Sequence, residues 1–123
     1  MGGTNYMKVG KGKTAREVFD RLNDDAKWEH GHGGYTGTIA EKDSYVEFKR
    51  PKGMRRATVI KAIRAVESIR YGTDGYPLTI FAERQFPSLP IAKMFAVYND
   101  KWGPSLAIEI SKGEYLFAGN ASS

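Results

Sequence analysis

The chain has 123 residues, 41% of them hydrophobic and 12% aromatic, which is the length of one domain with enough apolar material for a core. It holds no cysteine, so disulfides, thiolate metal sites and cysteine nucleophiles are excluded. Nineteen Lys and Arg against fourteen Asp and Glu give a formal charge of +5, a mild excess that favours anionic partners without selecting one.

The start, MGGTNYMKVGKGK, lacks the apolar run of a signal peptide, and nothing later approaches the ~18 apolar residues of a membrane span. The expectation is a single globular domain over residues 1–123, cytoplasmic and without a membrane partner. Thr4 to Val9 alternates and predicts a strand. Thr14-Ala15-Arg16-Glu17 then matches a capping box, and Ala15, Val18, Phe19, Leu22 and Ala26 recur at helical spacing, which predicts a helix from Thr14 to about Glu29. Trp28 falls almost opposite that apolar stripe.

From Tyr35 to Arg50 the period changes to two. Tyr35–Ala40 and Ser44–Phe48 read as a hairpin around Glu41-Lys42-Asp43. Lys49 to Arg56 follows with Pro, Gly and five basic residues, a loop by pattern. Thr58 can cap a second helix, VIKAIRAVESIR, with Val59, Ala62, Ile63 and Val66 on one face and Lys61, Arg64 and Ser68 on the other. Tyr71 to Pro90 is rich in turn signals, with Leu78–Ala82 as a short strand. Ala92–Tyr98, Ser105–Ile110 and Tyr115–Phe117 read as three strands, and Asn120–Ser123 as a tail. The predicted class is α+β, a mainly antiparallel sheet with two covering helices in the order β-α-β-β-α-β-β-β.

Chemistry-bearing residues gather in Glu29-His30-Gly31-His32-Gly33-Gly34-Tyr35-Thr36-Gly37-Thr38, which holds both histidines and four glycines. One reading is a helix C-terminus with His beside the negative end of the dipole, followed by a turn. The other is a ligand loop in which Gly33, Gly34 and Thr36 donate to an anion while Trp28 or Tyr35 supplies an aromatic face, with His30 and His32 beside them. Neither the P-loop pattern nor a strand-to-helix dinucleotide fingerprint is present, and a zinc site finds no further ligands at matching spacing. In the basic run, Arg50, Arg55 and Arg56 are the bidentate phosphate candidates, with Lys49 and Lys52 as point charges. Aromatic interleaving is missing inside the run, which weakens a nucleic-acid reading. Trp102 and Tyr76 are candidates for a protein interface.

The segment DDAKWEHGHGGYTGTIAEK, residues 24–42, preceded by a MGGT start and a GKT helix entry, resembles a family of small uncharacterised proteins encoded by tailed bacteriophages, for which no activity is established. Weaker echoes lie at Lys101-Trp102-Gly103-Pro104 and Phe117-Ala118-Gly119. The resemblance implies an accessory protein acting inside a host cell, of the kind that counters host defence. The leading expectation is therefore a non-enzymatic protein that sequesters a small phosphorylated nucleotide, a cyclic dinucleotide or a cyclic ADP-ribose type, without a cofactor or metal. The alternatives are a module that docks on a host defence protein and a small hydrolase using His30 or His32 as acid-base. A homo-oligomer is compatible with each.

Overall fold

The computed structural model describes residues 3–30, 36–70 and 76–122. Its centre is a four-stranded sheet in the order β1-β4-β3-β2, from strands β1 (Gly3–Lys11), β2 (Tyr45–Phe48), β3 (Ser105–Ser111) and β4 (Glu114–Ser122). β4 pairs antiparallel with both neighbours, in the registers Lys11↔Glu114 and Ile108↔Leu116, whereas β2 pairs parallel with β3, Tyr45 opposite Ser105. Two of the three pairs are antiparallel, as the mainly antiparallel expectation has it, and the parallel β2–β3 pair makes the sheet mixed. Parallel neighbours need a long crossover, and three helices supply it: α2 (Arg56–Arg70), α3 (Tyr76–Gln85) and α4 (Ile91–Asn99).

With α1 (Ala15–His30) the described residues hold four helices, not two. Both extra helices replace expected strands. Ile91, Met94 and Tyr98 are buried at helical spacing and form one face of α4, which takes in the run Ala92–Tyr98. Leu78–Ala82 lies inside α3, which begins Tyr76-Pro77, a proline position in the first helical turn that needs no amide donor. The Tyr35–Phe48 hairpin is also absent: the described part of its first arm forms bends and a 3-10 turn (Ile39–Glu41), and only Tyr45–Phe48 is a strand. The supposed tail belongs to β4, where Asn120 and Ala121 are buried opposite Asn5 and Thr4.

The α1 expectation holds. Thr14 Oγ1 accepts from the Glu17 amide at 3.2 Å, and Glu17 returns to the Lys13 amide at 3.0 Å. The buried stripe of α1 covers one face of the sheet, packing Val18 and Phe19 with Tyr6, Ala107 and Phe117. The helices α2 to α4 cover the opposite face over Leu106, Ile108 and Leu116. A sheet covered on both faces explains why successive β3 residues from Ser105 to Ile108 are all buried, with Leu106 and Ile108 on one side and Ser105 and Ala107 on the other. Among the described residues no helix is long and apolar enough to cross a membrane.

Candidate functional site

β1, β2 and β3 run the same way and β4 runs against them, so the molecule has two distinct ends. The starts of β1 to β3, the last turn of α1 and the α4–β3 connection share one end; the β3–β4 turn and the basic run share the other.

At the first end a cleft of about 370 Å³ opens between β1 and α1. The spacing Leu22, Asp25, Ala26, Glu29 and His30 puts these side chains along one side of α1, and Asn5 to Lys8 form the opposite wall. Leu22, Ala26 and Tyr6 give an apolar floor; Lys8, Asp25, Glu29, His30 and Thr38 give a polar rim. The floor is fixed by the Tyr6 hydroxyl, which donates to Ser105 Oγ at 2.7 Å on β3. Burial pushes that phenol above the usual tyrosine range, with the Ser105 bond opposing. On the rim, His30 Nε2 lies 3.7 Å from Glu29 Oε2.

His30 is thus in the cleft, and so are Gly37 and Thr38, where the glycine-rich stretch rejoins the described chain. His32, Gly33, Gly34 and Tyr35 lie outside the described residues. Gly37 takes φ 71°, the left-handed backbone that glycine reaches without strain. Thr36 is engaged locally: its amide and hydroxyl both donate to Glu41 Oε2, at 3.1 and 2.7 Å, and its hydroxyl meets Thr38 Oγ1 at 2.8 Å. An internal carboxylate therefore takes the donors that the sequence offers to an external anion. Trp28 is 90% exposed and lines no part of the cleft.

The three arginines are elsewhere. Arg56 is bidentate on Glu114, at 2.8 and 3.2 Å, and Glu114 stands opposite Lys11 at the far end of β1. Hydrogen bonding to Arg56, then to Ser111, holds the Glu114 carboxyl below its ordinary value, and the same pair raises Arg56. Arg50 donates to Met54 O at 2.9 Å and reaches Glu109 at 3.4 Å. Arg55 lines a shallow, open depression with Lys52, Thr58 and Ser88 at the start of α2. The cleft wall ends at Lys8, three residues or about 10 Å along the strand from Lys11, and none of the three arginines lines the cleft, so they are not part of it.

The cleft end is braced by a residue the sequence hides. Lys42, 1% exposed, sends its ammonium to the carbonyls of Asp100, Gly103 and Lys101 at 2.9, 3.0 and 3.4 Å. Burial lowers its pKa and the Asp100 carboxylate works against that. Cationic Lys42 also suits the negative end of α4, whose C-cap is Asp100. Asp100 Oδ1 accepts from the Trp102 amide at 3.0 Å, and a Cβ on Gly103 would come within 2.5 Å of Asp100 Oδ2, so any larger residue there displaces that carboxylate. This fixed connection presents Trp102, 69% exposed, with Lys101 Nζ 5.4 Å from its ring. The buried Asn23 ties α1 to the same region through Ile39 O and Lys42 O, both at 2.8 Å.

Sequence reasoning missed Asn5, Lys8 and Asp25 as cleft residues. The signal for Asp25 was present: it shares the Leu22–Ala26–Glu29 side of α1. Lys42 carried none, since a charged residue between Glu41 and Asp43 has the pattern of an exposed turn. Among the described residues, no three His, Asp or Glu side chains gather closely enough to hold a metal ion. Comparison with known proteins finds no family model, no curated protein and no solved structure that matches the chain.

Proposed function

We propose that this is an accessory binding protein of the tailed-phage kind that sequesters a small nucleotide signal in a host cell without turnover, and that the cleft between β1 and α1 is where the ligand sits. One observation carries the reading: His30, Gly37 and Thr38, on both sides of the glycine-rich stretch in sequence, converge on a cavity of about 370 Å³ with an apolar floor and a polar rim. That volume lies within the usual range for small-ligand sites.

The charge of the rim narrows the ligand. Lys8 faces Asp25 and Glu29, so there is no excess of positive charge. A cyclic dinucleotide or cyclic ADP-ribose type, with few phosphate charges, suits this rim better than a nucleoside triphosphate. Lys8 and a ring N–H of His30 are the donors for phosphate oxygen, and Asp25 and Glu29 accept from ribose hydroxyls or base amino groups. The +5 net charge assists encounter at long range.

Thermal-shift and calorimetric screens against cyclic dinucleotides and cyclic ADP-ribose isomers test this. One of them is expected to stabilise the fold, by about 2.7 kcal/mol at a hundredfold excess over Kd. Lys8→Ala and His30→Ala are expected to weaken binding at least about tenfold, and Arg55→Ala to leave it unchanged. Absence of stabilisation by every compound discards the reading; loss of binding in Arg55→Ala alone moves the site to the basic end.

A second reading, docking on a host defence protein, is favoured by one feature. Trp102 is a large exposed ring on a connection fixed by Asp100 and Lys42, and pre-organised aromatic anchors dominate protein interfaces. Trp102→Ala with wild-type stability and lost capture of a host protein would support it.

A further inference from the structure

α1 and the α2–α3 pair cover opposite faces of the sheet, and each turns a large ring outward. Phe81 on α3 is 67% exposed and, with Ala65 and Ala82, forms the apolar floor of a groove of about 290 Å³. Among the described residues, the charged side chains lining this groove are Lys61 and Arg64, and no carboxylate lines it. Trp28 on α1, 90% exposed, has the opposite surroundings. Asp24 and Asp25, four and three residues before it, stand beside it on the helix surface. Among the described residues, none of Asp24, Asp25, Lys61 and Arg64 forms an ion pair.

These two surfaces complement each other. We propose that Trp28 of one copy seats in the α2–α3 groove of a second copy, with Asp24 and Asp25 of the first facing Lys61 and Arg64 of the second. The indole ring fills the apolar floor and receives the cationic side chains against its face. Its N–H finds an acceptor in the Gln85 side chain on the groove wall. Because the surfaces lie on opposite faces of one sheet, the contact is heterologous: every copy added leaves one groove and one indole unfilled, so association runs head to tail into chains or a closed ring. Asp25 also lines the β1–α1 cleft, so the two proposals share that carboxylate, whereas Trp28 and Phe81 line no part of the cleft and Trp28→Ala reads association alone.

Sedimentation velocity from about 1 μM to about 1 mM protein tests the proposal. The weight-average mass is expected to climb above 13.7 kDa with concentration and to fall back when salt is raised from about 0.05 M to about 0.5 M. Trp28→Ala is expected to abolish association with an unchanged thermal melt. Asp24→Lys and Arg64→Glu are each expected to weaken it at least about tenfold. An equimolar mixture of those two variants restores it, because lysine-bearing α1 then meets the glutamate-bearing groove while the two unaltered surfaces still match. A mass that stays at 13.7 kDa at every concentration overturns the proposal. So does association that survives Trp28→Ala or Arg64→Glu, or a mixture no better than its components.

Discussion

The two ends of the sheet use charge in opposite ways. Five basic residues crowd positions 49–56 at one end, yet Arg56 is held by Glu114 and Arg50 by Met54 O and Glu109. At the other end Lys8 of β1 meets Asp25 and Glu29 of α1, which lie well beyond it in sequence, in a single cleft over apolar ground. Density of charge along a chain therefore says little about where charge is available; the fold decides which ions are paired and which face a cavity. The same contrast marks anion-binding backbone, since the Thr36 donors already hold Glu41.

The largest effect that would break this contrast lies under the cleft end. Lys42→Met keeps the length of the side chain and strips three carbonyls of their donor, so urea unfolding is expected to show a loss of about 2–4 kcal/mol. The near-ultraviolet signal of Trp102 should weaken with it. The pH dependence is distinctive. Burial lowers the lysine pKa below its ordinary 10.5, so the unfolded chain keeps the proton to higher pH than the folded one. Stability conferred by that difference rises with pH through the interval below 10.5, and the Met variant loses this slope. A variant as stable as wild type would mean that the cleft end is not braced by Lys42.

Next comes Tyr6→Phe, which deletes the buried bond to Ser105 and leaves the ring in place. The expected loss is about 1 kcal/mol, and the cleft floor is expected to loosen, read as faster amide exchange at Met7 and Lys8. Unchanged exchange would show that packing alone positions the floor.

How far all this is readable from sequence depends on the element. The first helix announces itself because its signals agree: a Thr14 cap whose bond forms, with Glu17 reaching back one residue further to the Lys13 amide, and an apolar stripe that meets the sheet. α3 and α4 are silent because short apolar runs bounded by prolines look alike whether they form buried helices or strands. Only the burial of Ile91, Met94 and Tyr98 separates the two. His30 is legible as a functional candidate, since histidine stands out by chemistry. Lys8 and Asp25 are not, because their meeting depends on α1 folding back along β1, a long-range fact. Lys42 is the extreme case: the carbonyls that hold it are 58 to 61 residues away.

A smaller effect belongs to the basic end. Arg56→Ala removes an exposed pair, so its cost at neutral pH is expected to be below that of Tyr6→Phe and to shrink with salt. The sign with pH follows from Glu114, whose carboxyl is held below its ordinary 4.5. The stabilisation is present above that value and is lost as pH falls through the folded-state pKa beneath it. Melting temperatures of wild type and Arg56→Ala are therefore expected to converge in acid. A gap that persists there would mean that Arg56 acts by packing.

The smallest effect on stability is expected where the effect on binding is largest. Lys8 and His30 are exposed on the cleft rim, and the only charge contact either makes among the described residues is His30 with Glu29, whose two side chains are about half or more exposed. Replacing each with alanine is expected to change unfolding free energy by no more than about 0.5 kcal/mol. A residue that stabilises nothing yet is directed at a cavity is in a different position from Arg56, whose partner already satisfies it. If Lys8→Ala and His30→Ala leave the melt unchanged and also leave nucleotide affinity unchanged, the rim is ordinary surface and the contrast between the ends reduces to one of pairing. If affinity falls while the melt stays, the unpaired end is the binding end, and the paired basic run is part of the scaffold.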